Sequence, residues 1–183
     1  MGIMEFSVLT TNMIKLALTD VETTGLNPDE HEIIEIGLVV FDSEAPFTIY
    51  DTLDIKVKPE HISSAEKEAL AINGYNKEDW REAVSIEEAM ALYRTKTKDC
   101  MFMAHNVCFD YGFIQKYVKF HRHKLDLFGV AWTKIPHEKM SRWSLKEICG
   151  ALQIEPESEI HRAINGAMKE REVYMTLMGG LGI

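Results

Sequence analysis

Three β-forming runs crowd into the first 57 residues before any helical pattern begins, and this order constrains the fold more than any other feature of the chain. Ile14-Lys15-Leu16-Ala17-Leu18-Thr19-Asp20 is mostly apolar and leads into the turn sequence Thr23-Thr24-Gly25-Leu26-Asn27-Pro28. Residues 33–41 are dense in Ile and Val, and residues 47–57 alternate apolar with polar side chains before Lys58-Pro59. Short connections make these three runs an antiparallel meander. The period then changes. Residues 65–72 and 86–93 read as helices, the second capped by Ser85, and 101–104 as a short strand followed by a helix over 108–121. A fifth strand is predicted over 128–133, a helix over 145–152 behind Ser144, and a last helix over 163–178 closed by Gly179-Gly180. Strands first, then alternation, predict an α/β domain: one mixed five-stranded sheet, three antiparallel strands with parallel additions, and helices on both faces.

A length of 183 residues with 46% hydrophobic content suits a single domain over 1–183, with residues 1–13 read as a loose arm. No run approaches the roughly 18 apolar residues of a membrane span, and the first residues lack the basic start and apolar stretch of a secretory signal. The expectation is a cytoplasmic protein without membrane contact. Cys100, Cys108 and Cys149 are too scattered for a disulfide framework or a paired zinc site, so reduced thiols are expected. Net charge is −9, from 20 Lys+Arg against 29 Asp+Glu, which opposes the basic face usual in nucleic-acid binders. Clustered acids that hold divalent cations reverse that argument, because the bound ions become the largest local charges.

Asp20 and Glu22 end the first strand two residues apart, which points both carboxylates to one face. Such a pair repels itself unless a cation sits between the groups, and hard oxygen donors select Mg²⁺ or Mn²⁺. The full stretch Thr19-Asp20-Val21-Glu22-Thr23-Thr24-Gly25-Leu26 resembles the first motif of the DEDD exonuclease superfamily. His105-Asn106-Val107-Cys108-Phe109-Asp110 resembles its second motif and supplies a third carboxylate, Asp110. The third, Glu159-Ile160-His161-Arg162-Ala163-Ile164-Asn165-Gly166-Ala167, carries the histidine of the DnaQ-like DEDDh branch. Lys58-Pro59, Ala71-Ile72-Asn73-Gly74, and Ser144-Leu145 followed by Cys149 agree in kind, so the resemblance spans about residues 14 to 178.

The resemblance implies an RNase H-like fold and 3′ to 5′ phosphodiester hydrolysis by two metal ions. Asp20 is expected to bridge both ions, Glu22 to hold the one that activates water, Asp110 to steady the second, and His161 to take the proton from water. Thr23, Leu26, His105 and Asn106 carry over as substrate contacts. The expected partner is the 3′ end of single-stranded DNA or RNA, and no polymerase-binding peptide is recognisable.

One position departs from the family pattern. The fourth acid falls five residues after the histidine, where this chain has Gly166. Glu170 is the candidate substitute. It lies at i+4 on the same helical face, and helical side chains lean toward the N-terminus, back over the turn of Gly166. The opposing reading places Glu170 in a solvated Lys169-Glu170-Arg171-Glu172 face. Two functions follow: an exonuclease slowed by the Gly166 vacancy, or an inactive relative that binds nucleic-acid ends or a protein partner. Lys116, Lys119, His121, Arg122, His123 and Lys124 form a basic cluster with two readings, a face that meets phosphates or, as is usual for charge clusters, a solvated face. Phosphate-loop, dinucleotide and zinc-protease motifs are absent.

Overall fold

A computed structural model describes residues 13–179. The arm expected for residues 1–13 lies outside that range except for Met13. Strands β1 (Lys15–Thr23), β2 (Ile33–Asp42) and β3 (Ile49–Lys56) form the predicted meander, and β4 (Met101–Ala104) and β5 (Leu125–Asp126) extend it. The sheet order is β3-β2-β1-β4-β5, with β1, β2 and β3 antiparallel and β4 and β5 joining parallel to β1. Every residue of β2 is buried, as a strand covered on both faces must be, and its Ile/Val density reflects that position.

The alternation of β1 divides the core. Ala17 and Val21 face helices α2 (Ile86–Lys96) and α3 (Val107–Ile114), where Met90, Tyr93, Phe102 and Phe113 pack. Leu16 and Leu18 face α4 (Leu127–Lys134), α5 (Leu145–Ala151) and α6 (Ala163–Met178), with Phe41, Ile148 and Tyr174. Asp20 is the next residue on this second face, so the carboxylate stands where the apolar core ends. Among the described residues no helix is long and apolar enough to cross a membrane.

The predicted strand over 128–133 is a helix. Phe-Gly-Val-Ala-Trp-Thr is short, aromatic and β-branched, which suits either structure. The deciding residue is Asp126, whose side chain accepts the Phe128 N–H at 3.0 Å and caps α4, leaving only Leu125 and Asp126 to pair with β4. Helix α3 also ends earlier than expected, at Ile114.

Close approach of α6 to the sheet sets the site. Gly37, in the middle of β2, lies directly under the start of α6, and a Cβ there would run into the Ala163 carbonyl and the Ile164 amide. Gly37→Ala is therefore expected to lower stability by about 3 kcal/mol or more, because backbone rather than a flexible side chain must give way. Denaturant melts measure the loss.

Candidate active site

An open cleft of about 830 Å³ runs between the C-terminal end of β1, the start of α3 and the first turns of α6. Asp20, Asp110, Glu170, His105, Asn106, His161 and Gly166 all line it, so most of the residues singled out by sequence converge. Glu22 lies beside Asp20, close enough for each charge to act on the other. Asp110 is 3% exposed and accepts the Val21 N–H at 3.0 Å, which ties the second motif to the first.

Glu170 is 4% exposed and turns into this cleft rather than joining a solvated face. Its Oε2 accepts the His105 N–H at 3.0 Å. Gly166 is equally specific to the arrangement, since a Cβ there would collide with Oδ2 of Asp20. The side chain of Asp20 occupies the space that an acid at position 166 would need for its own first carbon. Glu170 thus places a buried carboxylate one helical turn beyond Gly166 on α6.

Burial and mutual repulsion disturb all four acids. Desolvation, with added repulsion from Glu157 and Glu35, raises the Asp20 carboxyl to about 7. Burial, then Asp20, Glu35 and Glu157, raise Glu22 to about 9 against the opposing pull of Arg162. Asp110 and Glu170 are pushed well above the usual carboxylate range by burial first and by Asp20 next. Buried oxygen donors lacking enough cationic compensation fit hard divalent cations. No three of their oxygens, each from a different residue, lie within 4.8 Å of one another, however. Among the described residues the one trio of ligand atoms within 4.8 Å is Glu32, Glu60 and His61, where Glu32 accepts the Glu60 and His61 N–H groups at 3.1 and 2.9 Å.

Residues outside the singled-out set hold the site in shape. Asp126 accepts the Asn106 and Val107 N–H groups at 3.1 and 3.2 Å, capping α3 as it also caps α4. Helix α1 (Lys67–Asn73) ends at Gly74, which takes a left-handed φ of 63° that favours glycine. Its last residues reach across the site. Ile72 C=O accepts the His161 N–H at 3.0 Å, and Asn73 Nδ2 donates to Thr23 C=O at 3.0 Å. Arg162 donates to Asn73 C=O at 3.2 Å and to the buried Glu35 at 3.4 Å. The Ala71-Ile72-Asn73-Gly74 signature is therefore a brace between the first and third motifs. Asp126 and Glu35 carried no sequence signal beyond being acids in or beside strands.

The proposed substrate contacts separate. His105 and Asn106 line the cleft, and the buried Nδ1 of His105 has no partner among the described residues. Thr23 donates its hydroxyl to Gly25 C=O at 2.7 Å, so that group is committed to the turn. Leu26 is 73% exposed on the loop after β1 and does not line the cleft. From the basic cluster, Lys119 and His121 line a different hollow with Arg94 and Lys98.

A sheet of this order, with carboxylates gathered at the end of its first strand, defines the RNase H-like nuclease class. The chain belongs to the RNase T exonuclease family, whose model matches residues 18–174. It is 30% identical to the PolC-type DNA polymerase III of Thermotoga maritima over 162 residues, 85% of this chain and 11% of that protein. It is 35% identical to the ribonuclease T of Shewanella baltica over 112 residues, 55% of this chain and 50% of the other. It thus spans between about a tenth and a half of these relatives' length. Among solved structures it resembles the nuclease domain of 3′hExo, a DEDDh family member bound to rAMP, with a TM-score of 0.73 at 18% identity, covering 93% of this chain and 94% of that one. Escherichia coli exonuclease I in complex with a dA16 oligonucleotide gives 0.70 at 14% identity, covering 90% and 41%.

The raised carboxyls fix the sign of a pH effect. Between about pH 4 and pH 9 the native state holds protons that the unfolded chain has released, so stability falls as pH rises across that window. Thermal melts in EDTA should show this fall. Mg²⁺ or Mn²⁺ should raise the melting temperature most at the alkaline end, and Asp20→Asn should flatten the pH slope.

Proposed function

We propose that this chain hydrolyses phosphodiester bonds from the 3′ end of single-stranded or frayed nucleic acid, using Mg²⁺ or Mn²⁺ as a pair of ions, with Glu170 in place of the acid absent at Gly166. The observation that carries this reading is the buried Glu170 carboxylate facing Asp20 and Asp110 across one cleft. Asp20, Glu22 and Asp110 are the carboxylates that would hold the ions, with Glu170 standing on the side left open by Gly166. When bound, such ions polarise the phosphate and make water a better nucleophile at neutral pH.

The chain's own residues do the rest. His161 is exposed at the cleft, anchored through its backbone to Ile72 while its ring faces solvent, and it accepts the proton of the attacking water. His105 and Asn106, side by side on the cleft lining, are assigned to the terminal nucleotide. Leu26 is exposed on the loop after β1 but outside the cleft lining, so its contact with the terminal base rests on the resemblance to the family alone.

The two relatives bear names that point to DNA in one case and RNA in the other, so both polymers belong in the assay. With 5′-labelled single strands in Mg²⁺ or Mn²⁺, the protein is expected to produce a ladder that Asp20→Ala abolishes. Glu170→Gln should slow it by at least about tenfold, the lower bound for losing even an indirect metal partner. Gly166→Asp should slow it as well, because the new side chain displaces Asp20. A protein that binds 3′ ends in a metal-dependent way but makes no ladder, and regains one in Gly166→Asp, is instead an inactive end-binding relative.

A further inference from the structure

Beside the carboxylates, one wall of the cleft is aromatic and cationic. Phe128 and Trp143 line it with Arg142 and Lys146, and Trp132 continues the aromatic surface outward from the cleft. Trp132 lies 4.8 Å from the Trp143 ring and 5.8 Å from Phe128, with the remaining pair 6.0 Å apart. Phe128 is 38% and Trp132 44% exposed, although both are large enough to be expected inside a domain of this size. Neither Arg142 nor Lys146 has an ion-pair partner among the described residues.

Local structure holds this wall in place. Trp143 adopts a φ of 58°, a left-handed conformation that bulky residues avoid. Glu147 enforces it: one carboxylate accepts the Ser141 hydroxyl and the Arg142 and Trp143 N–H groups, the last two at 2.7 and 2.8 Å. Backbone strain kept by three converging donors, next to a cleft, is the pattern of a preorganised contact surface. Phe128 and Trp132 are one turn apart on α4, so their rings share a side of that helix.

We infer that Phe128, Trp132 and Trp143 form a stacking track for the bases upstream of the 3′ terminus, with Arg142 and Lys146 meeting the phosphates between them. The inference rests on the exonuclease reading and deepens it by naming where the rest of the strand lies. Continuity with the cleft and the two unpaired cations, in a chain of net charge −9, favour a polyanion over a protein as occupant. Stacking on aromatic faces is tolerant of sequence and sugar, so the track serves single-stranded DNA and RNA alike.

Binding of phosphorothioate oligonucleotides, whose modified linkages resist hydrolysis, tests it by fluorescence anisotropy on two-, four- and six-nucleotide strands. Affinity should rise with length in the starting protein. Trp132→Ala should cut the gain between two and six nucleotides by at least about fivefold, the lower end for loss of one stacked base. Trp132→Phe should keep most of the gain, and Leu92→Ala, on the far side of the sheet, all of it. Hexamers that lack their upstream bases should bind the starting protein no better than full hexamers bind Trp132→Ala, a dependence on bases that a purely structural tryptophan would not create.

If Trp132→Ala keeps the full gain, or the base-free hexamers bind as well as complete ones, the track is wrong. A starting protein that degrades 3′ ends without any length dependence removes the track alone. One that neither binds nor degrades them removes the exonuclease reading as well. Self-association on sedimentation that Trp132→Ala abolishes, with no length effect on binding, would reassign the wall to contact between copies of this chain.

Discussion

Everything chemical in this molecule depends on how closely helix α6 approaches strands β1 and β2. Gly37 removes the one side chain that would hold them apart, and the Ala163 backbone rests in the space. That contact fixes the height of the helix over the sheet. Four residues into α6, Gly166 comes down onto the carboxylate of Asp20, and one turn later Glu170 reaches the backbone of His105. Two glycines, one on each element, thus set the distance between the first motif and the third. An ordinary Cβ at either position would lift the helix or turn Asp20 away.

The close approach carries an electrostatic cost that the fold only partly offsets. Asp20, Glu22, Asp110 and Glu170 stand within reach of one another's charge in a place where water is scarce. Backbone N–H groups from Val21 and His105 stabilise two of them, and Arg162 acts on Glu22 while bonding to Glu35 and Asn73. These contacts orient the carboxylates without neutralising them. A net charge of −9 therefore says little about affinity for polyanions, since any cation bound by these acids would dominate the field at the cleft.

Asp126 links the two halves of the cleft. By accepting N–H groups from Asn106, Val107 and Phe128 it caps the helix that carries Asp110 and the helix that carries Phe128 and Trp132. Position of the second-motif acid and position of the aromatic wall are thereby set by one side chain at the edge of the sheet. Nothing in the chain marks Asp126 in advance, because its role exists only once β5 lies beside β4.

Much of this was legible from residue order alone. The run of three β segments gave the meander, the period-2 spacing of Asp20 and Glu22 put both acids on one side, and helical spacing pointed Glu170 back toward Gly166. Local pattern failed at residues 128–133, where a short aromatic and β-branched stretch fits strand and helix equally and a cap supplied from Asp126 decided for helix. Two further facts were out of reach of any local pattern: that the Gly166 space is filled by Asp20, and that Glu170 is buried rather than solvated. Which acids and which histidine line or border the cleft could be read from residue type and spacing along single elements. That Glu170 is buried in the cleft beside Asp20, and that Phe128 and Trp143 line one of its walls, came from packing alone, because both depend on distances between elements far apart in the chain.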